Sequence, residues 1–263
     1  MNVRTVKAMR YVMPLREGGS LPAIVEGDDD GLYVLKFRGA GQGVKALIAE
    51  LVAGEIGRAL GLKIPEIVFV ELDARLARTE PDPEIQELIK ASAGRNMALD
   101  YLPGSIAYDP AAPLAVLDAA TAAKIVWFDA LVTNVDRTPR NTNMLVWHRE
   151  LFLIDHGASM YVHHDREWPA SAAAKAPAPF PQIRDHVLLP LVSTAGLREA
   201  DDSLSQRLTR AAVEEIVAGV PDVWLGGPDA AAASREAYVS YLSARLVARP
   251  FFADIEEAID ARA

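Results

Sequence analysis

The stretch Asn134 to Leu145, N-V-D-R-T-P-R-N-T-N-M-L, constrains this chain more than any other segment. Asp136, Pro139 and the asparagines at 134, 141 and 143 are turn-forming residues, so neither a helix nor a strand can run through it. Upstream, Ile125, Phe128 and Val132 lie at helical spacing behind Asp118, a candidate N-cap, which predicts a helix over 119–132. Downstream, Met144–Trp147 and Leu151–Ile154 read as strands joined by His148-Arg149-Glu150. A helix–loop–hairpin unit is expected, with Asp136, Asn141 and Asn143 in its loop and Asp155, of I-D-H-G, at its exit.

The rest of the chain divides around this unit. Residues 4–37 have β-type patterning, with Ala23–Val25 and Leu32–Phe37 flanking a Gly/Asp hairpin turn at 26–31 and an earlier turn at Glu17-Gly18-Gly19-Ser20. From Val44 to Leu60 the period becomes helical, carried by Ile48, Val52, Ile56 and Leu60 and stopped by Gly61 and Pro65. Further strands are expected at Ile67–Leu72 and Asn96–Leu102. Pro103-Gly104-Ser105 then mark a boundary between a β-rich part, 1–104, and a mainly helical part, 105–263. The Ala/Pro-rich residues 165–182 read as a mobile loop, and helices are expected within 203–219 and 230–262. The fold class is therefore α+β.

Composition narrows the chemistry. With no cysteine, disulfides, thiolate metal sites and cysteine nucleophiles are excluded, and a reducing cytoplasm is the expected compartment. A net charge of −9 argues against direct nucleic-acid binding. The N-terminus lacks the apolar run of a signal peptide, and every apolar stretch is far below the roughly 18 residues of a membrane span. His163-His164 lack any supporting metal-ligand spacing and read as loop or surface histidines. Ser105 and Ser159 lack a nucleophile-elbow context.

Two carboxylates and an amide converging from one loop-and-hairpin unit suit Mg²⁺-dependent phosphoryl transfer. One carboxylate orients a hydroxyl, and the amide oxygen and other carboxylate hold the cation on nucleotide phosphates. Asp155, at the end of a strand that reads as buried, needs a partner to offset desolvation. Lys36 lies within the strand Val34–Phe37. Glu50 shares a helical stripe with the small residues Ala46, Ala53, Gly54 and Gly57, and it could pair with Lys36; Glu55, on the opposite flank, is the competing partner. Gly18-Gly19-Ser20, upstream of Lys36, is positioned for a loop over phosphates.

These segments resemble the HipA-like kinase family, related to phosphatidylinositol 3/4-kinase and protein-kinase folds. The matching phrases are F-D-A-L-V-T-N-V-D-R (128–137), N-T-N-M-L-V, L-F-L-I-D-H-G, Y-V-L-K-F and A-E-L-V-A-G-E-I-G-R-A-L-G-L-K-I-P-E, ordered as in the family and lying within 15–160. The resemblance implies a bilobal protein-kinase-like fold using ATP and Mg²⁺, with a hydroxyl acceptor, by analogy a protein Ser/Thr. A small-molecule or lipid acceptor and a nucleotide-binding pseudokinase are the alternatives. It implies Asp136 as catalytic aspartate, Asn143 and Asp155 as metal ligands, Lys36 paired with Glu50 on the phosphates, and Asp100-Tyr101-Leu102 as a hinge for adenine. Asp136 and Asn143 are seven residues apart where related kinases usually have five. Asn141 occupies that usual spacing and stays an alternative ligand. His156 replaces the Phe of D-F-G. The chain is shorter than full HipA toxins and is expected to lack their extra N-terminal subdomain.

Overall fold

In the computed structural model the strands of the first hundred positions form a sheet that closes on itself. The structure describes residues 3–15, 21–41, 43–111 and 116–262. Strands β1 (Thr5–Pro14), β2 (Ala23–Gly27), β3 (Leu32–Lys36), β4 (Ile67–Leu72) and β5 (Gly94–Asp100) form a closed barrel in the order β1-β2-β3-β5-β4. Only the β1–β4 pair is parallel. The Gly18-Gly19-Ser20 turn lies outside the described residues; on either side of it the Leu15 N–H donates to the Pro22 carbonyl at 2.7 Å.

The two faces of the barrel strands serve two cores, as a side-chain period of two requires. Val68, Val70, Leu72 and Ala98 point into the barrel with Val25, Leu35 and Phe37. Ile67, Phe69, Met97 and Leu99 point outward into a larger core that runs on through the helices. Helix α1 (Gly43–Ala59) lies in that larger core and is buried on most sides, and its small residues set its approach to neighbours. A Cβ at Gly54 would press on Ile67, and one at Gly57 would overlap Ile64 and crowd Phe128. Helix α2 (Pro83–Ala91), which the sequence reading did not foresee, closes the barrel with Ile85 and Ile89. Its signals are local: Asp82 caps the Glu84 N–H, and Pro83 opens the helix.

After β6 (Ile106–Ala107) the chain enters α3 (Ala119–Val132), capped at its start by Asp118. A three-stranded sheet follows in the order β6-β7-β8, with β7 at Met144–Trp147 and β8 at Glu150–Leu153. The remaining helices are α4 (Ala172–Lys175), α5 (Thr194–Arg207), α6 (Arg210–Ala218), α7 (Pro228–Ala248) and α8 (Phe251–Asp260). The expected α+β class, strand-rich first and helical afterwards, is the one observed.

Two expectations need correction. Residues 165–182 are no bare loop: Ala172, Ala176 and Phe180 are buried, because small apolar side chains can pack where the Pro-rich backbone cannot form long helices. His163 is fully buried, its Nδ1 lying 2.9 Å from the Tyr238 hydroxyl, and burial pulls its pKa down to about 3. Helix α3 is fastened at both levels. Trp127 Nε1 donates to Asp201 at 2.7 Å, and Arg245, itself buried, donates to the carbonyls of Ala130, Leu131, Ala176 and Ala178. A cation at the C-terminal carbonyls of a helix also suits its dipole.

Candidate active site

The end of α3 sets the geometry. Thr133 stops the helix in the left-handed region (φ 54°), a costly conformation for a β-branched residue. The next turn is held by Asp129, a fully buried carboxylate that the sequence reading passed over. Arg137 Nε reaches its Oδ2 at 2.6 Å, His186 Nε2 lies 2.9 Å from the same oxygen, and Asn134 Nδ2 donates to Oδ1 at 2.9 Å. The Leu188 N–H donates to His186 Nδ1, which leaves the imidazole proton on Nε2, facing Asp129. Burial by itself would raise the Asp129 pKa; Arg137 and His186 outweigh it and hold it well below the usual carboxylate range. A buried aspartate in the last turn of an apolar helix was the available signal, since such a charge needs a partner.

Arg137 also donates to the Asn143 carbonyl, so the buried cluster braces both ends of the 134–143 loop. Within it Asp136 is half-buried. Its Oδ2 accepts from Asn141 Nδ2 at 2.8 Å and from Asn143 Nδ2 at 3.1 Å. The asparagines differ in setting: Asn141 is exposed in a turn bridged to Thr138, whereas Asn143 is 8% exposed at the mouth of the β7–β8 hairpin. The Ile154 N–H donates to the Asn143 carbonyl at 3.0 Å, which continues the β7–β8 ladder by one pair and places Asn143 opposite the residue before Asp155. Asn143 (φ 48°) and Asp155 (φ 56°) both take left-handed backbone, uncommon outside glycine and concentrated here at the hairpin mouth.

Lys36, projecting from the last residue of β3, joins this unit to α1. Its Nζ lies 2.6 Å from Glu50 Oε2 and 2.6 Å from Asp155 Oδ1; Glu55 pairs instead with Arg58. Glu50 is completely buried, while the Asp155 side chain keeps 44% of its exposure. Burial alone would lower the lysine pKa, but the Glu50 and Asp155 carboxylates hold it up at about 12. Burial would likewise raise Glu50, yet Lys36 and then His156 draw it down to about 2. A cavity of about 30 Å³ lies beside the triad and is lined by Lys36, Ala40, Gly43, Glu50, Asp155 and Gly157 among others.

Asp155 and the asparagines offer only oxygen as metal ligands, the donor set of a hard cation such as Mg²⁺. Among the described residues no three His, Cys, Asp or Glu side chains are grouped to hold a metal. A cation held by Asp155 and an asparagine oxygen would therefore take the rest of its shell from phosphates and water, as Mg²⁺ at nucleotide sites does. At the expected hinge, the Asp100 and Tyr101 N–H groups are already used, donating to Glu66 and Leu32 carbonyls at 2.8 and 3.0 Å. Among the described residues no such bond engages the Leu102 N–H.

A family model described as HipA-like kinase matches residues 9–249. No curated protein sequence matches the chain. Among solved structures, the Helicobacter pylori proinflammatory kinase CtkA is similar over 100% of both chains, with a TM-score of 0.58 and 10% identity. The Golgi casein kinase is similar over 99% of this chain and 74% of its own, with a TM-score of 0.50 and 12% identity. Its Mn/ADP-bound form gives 0.53 and 11% over the same shares. At such identities the likeness concerns fold.

Proposed function

Because the chain belongs to the HipA-like kinase family, we propose that it transfers the γ-phosphoryl group of ATP to a hydroxyl acceptor with Mg²⁺. The observation that carries this reading is the Lys36–Glu50–Asp155 triad beside a loop in which Asp136 is held by two asparagines. We read residues 1–104 as the nucleotide-binding lobe and 105–263 as the catalytic lobe of a bilobal kinase-like fold. The likeness to kinase structures supports this, although the closed barrel departs from an ordinary kinase N-terminal sheet.

Each side chain then has a task. Lys36, braced by Glu50, presents its ammonium to the nucleotide phosphates. Asp136 orients the acceptor hydroxyl and takes its proton, with its Oδ1 free of the asparagines that hold Oδ2. Asp155 and Asn143 would hold Mg²⁺, which neutralises charge developing on the transferred group. Burial favours Asn143 over Asn141, because Asn143 is enclosed at the hairpin mouth opposite Ile154, the residue before Asp155, whereas Asn141 is exposed in its turn. The Leu102 N–H is the hinge donor left for an adenine ring, and Gly18-Gly19-Ser20 would cover the phosphates. A protein Ser/Thr acceptor rests on analogy with HipA-like kinases and with the casein kinase. No helix among the described residues is long and apolar enough to cross a membrane; the cytoplasmic assignment rests on the cysteine-free composition.

The test is ADP release with Mg²⁺-ATP by wild type, Asp136→Ala, Asn143→Ala and Asn141→Ala, with mass spectrometry for phosphorylated protein. Asp136→Ala should lose roughly 10²- to 10⁴-fold in turnover. Asn143→Ala should need far more Mg²⁺ than Asn141→Ala. Wild-type turnover unchanged by Asp136→Ala would refute the assignment, and tight nucleotide binding without turnover would favour a pseudokinase.

A further inference from the structure

Beneath the triad lies a histidine for which the kinase reading has no use. His156 is fully buried, and neither ring nitrogen has a hydrogen-bond partner. Its ring stands edge-on to Phe128, with centroids 5.7 Å apart and planes inclined at 68°. A plain packing role would be filled better by a phenylalanine, which buries no polar atom. The orphan that faces it is Glu50 Oε1. Lys36 occupies Oε2 of that carboxylate, but Oε1 is buried and unpaired. The distance from His156 Nδ1 to Glu50 Oε1 is 3.6 Å, beyond a hydrogen bond but within a small side-chain adjustment of one.

We propose that His156 is a positioning residue: its Nδ1–H donates to Glu50 Oε1 and so fixes the carboxylate that aims Lys36 at the nucleotide. One contact removes two buried orphans at once, which is the physical reason to expect it. A carboxylate held at only one oxygen can pivot about the Lys36 contact, and the ammonium would move with it. Held at both, it presents Oε2 in one orientation. Gly157 follows directly, and a Cβ there would lie 3.5 Å from Glu50 Oε2 and 3.7 Å from the Ala46 carbonyl, so the backbone carrying His156 is packed closely against α1. His156 thereby links the strand exit bearing Asp155 to the helix bearing Glu50. The chemical requirement is a donor at the Nδ1 position.

This inference rests on the kinase reading for its consequence but not for its geometry, and the experiment has one arm for each. In the first, His156→Phe keeps an aromatic ring against Phe128 and removes the donor. His156→Asn loses the ring but returns an N–H at the Nδ1 position. His156→Phe should lose roughly ten- to hundredfold in kcat/KM for ATP, the worth of a hydrogen bond to a charged group. His156→Asn should recover most of that loss despite packing less well. A purely structural histidine predicts the reverse order, and Asn no better than Phe would overturn the proposal. In the second arm, ¹⁵N NMR of wild type labelled at histidine reads the protonation of Nδ1 in His156 directly. A protonated Nδ1 supports the proposal, and a bare Nδ1 overturns it, whether or not the protein turns over ATP. Absence of wild-type turnover would sink the kinase reading and leave the spectroscopic arm standing.

Discussion

Arg137→Met tests how the loop around Asp136 is built. Arg137 and Asp129 are both fully buried, with Nε 2.6 Å from Oδ2. Met fills much of the same volume but leaves a carboxylate with only two neutral donors, Asn134 and His186. Removing one member of a buried pair costs about 3–5 kcal/mol, and the two remaining donors place this case toward the lower end. The Asn143 carbonyl loses its guanidinium but keeps the Ile154 N–H, adding about 1 kcal/mol. A total of about 4 kcal/mol corresponds to a drop in Tm of roughly 8–16 °C for a chain of this size. The sign with pH also follows. In the variant the orphaned Asp129 gains from taking a proton, so the deficit relative to wild type should shrink as pH falls from about 7 toward about 5. Asp129→Asn in the Arg137→Met background removes the stranded charge and should restore more than half of the loss. Urea unfolding followed by tryptophan fluorescence at both pH values measures all of this. A single variant within about 1 kcal/mol of wild type, or a double variant no better than the single, would refute the reasoning.

The Lys36–Glu50 pair predicts two further pH windows. Glu50 is depressed from 4.5 to about 2, so its contribution is present above 4.5 and lost as pH falls toward 2. Lys36 is raised from 10.5 to about 12, so its contribution is present below 10.5 and lost as pH rises to about 12. The double variant Lys36→Met/Glu50→Gln should lack both slopes relative to wild type in thermal melts, and unchanged slopes would count against the pair. Gly57→Ala should cost about 1–3 kcal/mol, because its methyl group overlaps Ile64 Cδ1 and crowds Phe128 Cζ at 3.3 Å. Ile64→Val removes that Cδ1 and should recover part of the loss in the same unfolding assay.

Elements whose signals are local were legible in the sequence. The 119–132 helix and its Asp118 cap stand where periodicity and the capping signal place them, and β4 spans Ile67–Leu72 as read. The stripe of small residues on α1 likewise announced close packing before Ile64, Ile67 and Phe128 were known to be what packs there.

Sequence by itself thus determined the order and type of most elements and offered Lys36, Asp136, Asp155 and the pair Asn141/Asn143 as candidates, because hydrophobic period, turn residues and motif spacing are properties of neighbouring positions. Tertiary structure decided, where helical periodicity left the choice open, that Glu50 rather than Glu55 meets Lys36. It alone closed the sheet into a barrel and buried Asn143 at the hairpin mouth while leaving Asn141 exposed. It alone brought His186 to Asp129 across 57 positions and left His156 facing Glu50. Such pairings depend on which buried charges and donors the fold encloses together, and the cost of leaving them unpaired appears only once the chain has closed around them.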